Sequence, residues 1–152
     1  MVMSVTNRSK YLSEIVESSF FFNELDVSDK FDFKIKKTVM QNSAAIYLLE
    51  SGHLVTQSTA KDVIKSNTNL VESNIADFGF LGSLALPNYI WLTLSGELVI
   101  ISQGKKIYEK KVAKGNVRFL KKNLCVYYSD SHITFFHIDA FHLRREESYE
   151  LD

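Results

Sequence analysis

YIWLTLSGELVIISQGKKIYEKKV, residues 89–112, decides the class of the fold. Ile90 to Ser102 is dense in Ile, Leu, Val and Trp, residues that fit a pleated, half-buried surface. The run is one strand or a strand pair about Ser95-Gly96, and Gln103-Gly104 ends it with a turn signal. KKIYEKK (105–111) then resumes an extended pattern, so the stretch reads as strands joined by tight turns.

The same reading extends in both directions. Lys114-Gly115-Asn116 marks the next turn. Residues 117–120, 124–128 and 133–138 follow as short strands separated by Lys-Lys-Asn and Ser-Asp-Ser. Upstream, Phe31, Phe33 and Ile35 alternate with Asp32, Lys34 and Lys36, the period of a half-buried strand. AIYLLESGHLV (45–55) is a second apolar run that bends at Ser51-Gly52. YLLESGHLV (47–55) and WLTLSGELV (91–99) echo one another, which fits two strand–Gly–strand corners of one sheet. KDVIKS (61–66) fits a short helix or a strand equally well.

The first residues differ. Leu12, Val16 and Phe20, with Tyr11 and Ile15 beside them, give an amphipathic helix over about 8–22. The expectation is a single mainly β domain over 1–152: an antiparallel β-roll or barrel, jelly-roll-like, over 31–139, with that helix before it. Residues 144–152 form a charged C-terminal tail or a short final helix.

Composition removes several functions. Of 152 residues, 45% are hydrophobic and 24% charged, with 11 Phe, 7 Tyr and 1 Trp, as in a chain that buries a core. Eighteen basic residues balance eighteen acidic ones, so no global charge draws the chain to nucleic acid or membrane. One cysteine, Cys125, precludes an internal disulfide, and its apolar setting LCVYY marks a buried, inert thiol. No apolar stretch has the length of a signal peptide core or a membrane span, so a cytoplasmic location is expected.

An apolar strand ending in Ser95-Gly96-Glu97, a lysine-rich strand, then Lys114-Gly115-Asn116-Val117 resembles the small β-rolls of bacterial regulators. These are the cyclic-nucleotide-binding domain of the CRP/FNR type and the cupin-like sensor domain of the AraC type. ADFGFLGSLAL (76–86) is similar to the phosphate-binding loop of the first, and ITFFHIDAFHL (133–143) to its last strand and following helix. The resemblance implies a sensor fold without its ligand chemistry. Ser83 stands near the position of the ribose-binding Glu, no Arg follows before Arg118, and the clustered histidines of a cupin metal site are missing.

No other constellation carries catalysis. His132 and His137 have opposite parity on one strand and cannot share a metal. Cys125, His137 and Asp139 are the one nucleophile–base–acid combination at short range, and no phosphate-loop spacing occurs. Neither a cofactor nor an enzymatic activity is expected.

The charge asymmetry lies in 105–122, where Lys105, Lys106, Lys110, Lys111, Lys114, Arg118, Lys121 and Lys122 stand against Glu109 alone. With Tyr108 they form the candidate interaction surface. Residues 133–138 add a second surface, because Ile133, Phe135 and His137 share one face and Thr134, Phe136 and Ile138 the other. Two apolar faces mean a sheet covered on both sides or an interface.

The expected function is therefore a non-catalytic regulatory or protein-interaction module, acting on a protein partner or as a homo-oligomer, with no membrane. The alternative is a nucleic-acid-binding module using the basic hairpin, lost on Lys110→Glu with Lys111→Glu. A further alternative is an incomplete propeller-type scaffold subunit.

Overall fold

The computed structural model describes residues 34–58 and 68–151, so the helix expected over 8–22 and the segment KDVIKS lie outside the described residues. Twelve strands occupy the described chain, with no helix among them. β1 (Ile35–Gln41), β2 (Ala44–Leu49), β3 (Leu54–Ser58) and β4 (Thr68–Glu72) form a first antiparallel sheet. β5 (Ile75–Gly82), β6 (Pro87–Thr93), β7 (Glu97–Ser102) and β8 (Lys105–Lys111) form a second. β9 (Asn116–Lys121), β10 (Leu124–Tyr128), β11 (His132–Asp139) and β12 (His142–Glu150) form a third.

Each sheet is a meander in which every strand pairs with its neighbours in sequence. Tight turns dictate this. Gln103 and Gly104 both take positive φ, 50° and 85°, the two-residue turn whose twist matches that of the flanking strands. The expected closed barrel is not formed among the described residues: their strands pair as three separate four-stranded antiparallel sheets. Closure needs pairing between strands distant in sequence, whereas short hairpins exhaust the pairing within each group of four. The up-and-down order within each group is that of a propeller blade.

The described residues divide into two compact units, with the boundary between Ser73 and Asn74. In the first, every residue of β2 is buried. Ala45, Tyr47, Leu49 and Val55 form one cluster, with Ile35 packed on it. The echo YLLESGHLV and WLTLSGELV falls on the β2–β3 and β6–β7 hairpins, the same place in two different sheets rather than two corners of one.

In the second unit the two sheets stack face to face, β9 against β5 and β12 against β8. Ile90, Leu92, Leu98 and Ile100 of the second sheet pack on Val117, Cys125, Tyr127, Phe136 and Ile138 of the third. Each such side chain removed from water contributes about 1.5–3 kcal/mol. The innermost strands meet closely: Asp77 accepts a hydrogen bond from the Val117 N–H at 2.9 Å, and a Cβ on Gly79 would lie 3.0 Å from Arg118 Cα. At the far end, Ser102 donates its hydroxyl hydrogen to the Ala140 carbonyl.

Residues 144–150 belong to β12 rather than to a tail or helix. β11 offers β12 a free edge, and a tight turn with Ala140 at φ 52° returns the chain along it.

Candidate functional site

The third sheet presents a second face, turned away from the core it shares with the second sheet. Alternation along β11 creates it. Thr134, Phe136 and Ile138 are buried, and Ile133, Phe135 and His137 are half-buried on the other side. The pairing aligns one row of side chains across all four strands of this face: Arg118 opposite Val126, Val126 opposite Phe135, Phe135 opposite Glu147. A second row joins Asn116, Tyr128, Ile133 and Tyr149.

Val126 is buried at the middle of this face, while Tyr149 remains 53% exposed and its ring meets that of Phe135 edge-on, centroids 6.2 Å apart. Glu147 is fixed by two neighbours. Its Oε1 lies 3.1 Å from His137 Nε2, and its Oε2 forms an ion pair with the Arg145 guanidinium, Nε 3.4 Å away. Arg118, at the opposite end of the row, is exposed. The face is thus apolar in the middle, with Arg118 at one margin and the paired Arg145 and Glu147 at the other.

The basic residues singled out in the sequence are not brought together. β8 and β9 do not pair with each other; they lie in different sheets at opposite edges of the stack, because β9 sits beside β5. Three interstrand steps, about 14 Å, separate those edges, and the link 112–115 carries the chain across. Lys105, Lys106, Lys110 and Lys111 therefore line the outer edge of the second sheet. Arg118, Lys121 and Lys122 lie at the inner edge of the third, and Lys114 is exposed on the link.

Several of these side chains have local roles. Lys106 pairs with Glu109 at 2.9 Å, and the Lys105 ammonium stands 5.9 Å from the Phe141 ring centroid. Tyr108 is half-buried, its ring 5.0 Å from that of Phe136, and its hydroxyl donates to Glu146 at 3.3 Å. Burial, with the Glu146 carboxylate beside it, pushes the Tyr108 phenol up to about 12. It behaves as a packing residue with a tethered hydroxyl.

The nucleophile combination is also separated. Cys125 lies in the core between the sheets and is fully buried, which pushes its thiol up to about 12. His137 lies on the opposite face of the same sheet, paired with Leu124. Among the described residues no group of three or more His, Cys, Asp and Glu could hold a metal ion, and no helix is long and apolar enough to cross a membrane.

The alternation 133–138 already placed Ile133 and Phe135 on a second apolar face. Glu147 and Tyr149 were missed because HLRREESYE carries no strand-like alternation of polarity. Comparison with known proteins adds no name to this surface: no family model matches the chain, and no curated protein matches it.

Proposed function

We propose that the protein is a non-catalytic protein-interaction module whose working surface is the face of the third sheet turned away from the second sheet. One observation carries this reading. The half-buried Phe135, Ile133 and Tyr128 and the exposed Tyr149 stand side by side on a face that the second sheet does not cover. Aromatic residues framed by charged margins are the composition of interface cores and rims. The blade-like strand order supports a scaffold-type role, since sheets of this kind bury their faces by stacking on other sheets.

The test places a photo-crosslinking amino acid at position 149 or, in a second variant, at position 110 on the lysine-rich edge. Illumination in the expressing cells is expected to give protein adducts from 149 and none from 110. Adducts from 110 alone, or from neither, would overturn the reading.

A further inference from the structure

We infer that one end of the second unit docks on an anionic lipid surface, its exposed apolar side chains entering the surface and its lysines meeting the headgroups. Four turns converge at this end: 83–86 between β5 and β6, Gln103-Gly104, Lys122-Asn123 and Ala140-Phe141. Hydrogen bonds tie them together. The Gly104 N–H donates to the Pro87 carbonyl at 2.9 Å, and the Gln103 N–H to Asn88 Oδ1 at 2.9 Å. Ser102 donates to the Ala140 carbonyl, and the Ile138 N–H donates to the Asn123 carbonyl at 2.9 Å. The inference concerns a different surface from the face of the third sheet and stands or falls without it.

Large apolar side chains stand exposed on these turns. Leu84 is 37% exposed, Leu86 57% and Phe141 43%, and Leu120, beside Lys121, is 44% exposed. Lys105, Lys121 and Lys122 are exposed among them, with Asp139 the one acidic residue in or next to the four turns. The Lys105 ammonium lies 5.9 Å from the Phe141 ring centroid, so charge and apolar tip sit side by side.

This arrangement favours lipid over protein. The buried cores of protein interfaces are depleted in lysine, whereas here lysines alternate with the apolar tips. Leucine and phenylalanine on separate turns can each enter the boundary between headgroups and acyl chains without forming one joint patch. The lysines are spread over both sheets, which suits an extended anionic surface rather than a single bound anion. The expectation of no membrane came from the lack of a continuous apolar segment, and these side chains come from three stretches far apart in sequence.

Co-sedimentation of the purified full chain with vesicles tests it. Binding is expected to phosphatidylcholine vesicles containing phosphatidylserine at about 0.1 M salt, and to be lost at about 1 M, where screening shortens to roughly 3 Å. Phosphatidylcholine alone should not bind. Lys121→Gln with Lys122→Gln should weaken binding about 25-fold, a factor of about five per lysine. Leu86→Ser with Phe141→Ser should weaken it at least about tenfold. Lys110→Gln with Lys111→Gln removes the same charge, but Lys110 lies about 17 Å along β8 from Lys105. That exceeds the screening length of about 10 Å, so binding should stay within about twofold of wild type. Phe141→Trp reports insertion directly: the native Trp91 is only 8% exposed, and a blue shift of emission on adding anionic vesicles is expected.

No binding to the anionic vesicles overturns the inference, as does equal binding to neutral ones. Equal losses in the Lys110–Lys111 and Lys121–Lys122 variants would mean general charge attraction and would remove the site. If the serine variant misfolds, Phe141→Trp decides: vesicle-bound protein with unshifted emission overturns insertion. A photo-crosslinking amino acid at 141 that gives protein adducts in cells, without vesicle binding, would make this end a protein contact instead.

Discussion

Gly79→Ala tests the stacking of the second and third sheets. An added Cβ would lie 3.0 Å from Arg118 Cα, 3.1 Å from Phe119 N and 3.2 Å from Ile90 Cγ2. Comfortable carbon contacts begin near 3.5 Å. Two of the three obstacles are backbone atoms of β9, which can retreat only if the strand moves and strains the Asp77–Val117 hydrogen bond and the core beneath. Overpacking of this kind costs about 1–3 kcal/mol. Replacing a mid-strand glycine otherwise returns about 0.5–1 kcal/mol of chain entropy. The net expectation is a loss of about 1–2 kcal/mol in urea unfolding, read as a lower midpoint at unchanged slope. Gly104→Ala is the comparison. Nothing lies within 4 Å of its added Cβ, but φ is 85°, so its cost is backbone strain. Gly104→Asn should recover much of that cost, because asparagine tolerates the left-handed region. Gly79→Asn should recover none. Unchanged or raised stability in Gly79→Ala would refute the close approach of β5 and β9.

Two further outcomes follow from the same core. Asp77→Ala removes an acceptor from the N–H of Val117, a residue only 1% exposed, and is expected to cost about 1–3 kcal/mol, with Asp77→Asn, which keeps an oxygen there, costing clearly less. Cys125, its thiol pushed up from 9.0 to about 12, should resist alkylation at pH 8 until the protein unfolds. Because the folded state holds that proton more tightly than the unfolded one, stability should fall as pH rises from 9 towards 12, by at most about 1.4 kcal/mol per pH unit from this group. Rapid alkylation of the native protein at pH 8, or a flat stability profile across that window, would place Cys125 outside the core.

Local signals in the chain carried the strands, and long-range pairing was beyond them. Gln103-Gly104 announces its hairpin because the turn itself selects the residues. The period of Ile133 to Ile138 announces a strand with two used faces. The division into sheets is different. Whether β8 and β9 pair depends on where β9 finds a partner, and that is settled by β5, some 40 residues earlier, through Asp77 and Gly79. Reading 105–122 as one basic surface assumed neighbours in sequence are neighbours in space. The link 112–115 breaks that assumption. HLRREESYE was illegible for another reason: an edge strand with water along one side can be charged on both faces, and it then loses the alternation by which strands are recognised.

That same edge chemistry says which surfaces of the second unit can associate. A sheet offers another chain its edges or its faces. The outer edges, β8 and β12, read KKIYEKK and HLRREESYE, and the charges that crowd them oppose strand addition. The inner edges, β5 and β9, are engaged with each other through the Val117 N–H and the Gly79 approach. One face of the third sheet is spent in the core with the second sheet. Its other face carries the half-buried Ile133 and Phe135 and the exposed Tyr149, apolar area that the second sheet leaves uncovered. On this argument the lysines of β8 direct association by exclusion: they close an edge, and the aromatic face receives what the edge refuses. Association mediated by β8 would contradict this and would appear as a complex abolished by Lys110→Glu and indifferent to Arg118→Glu.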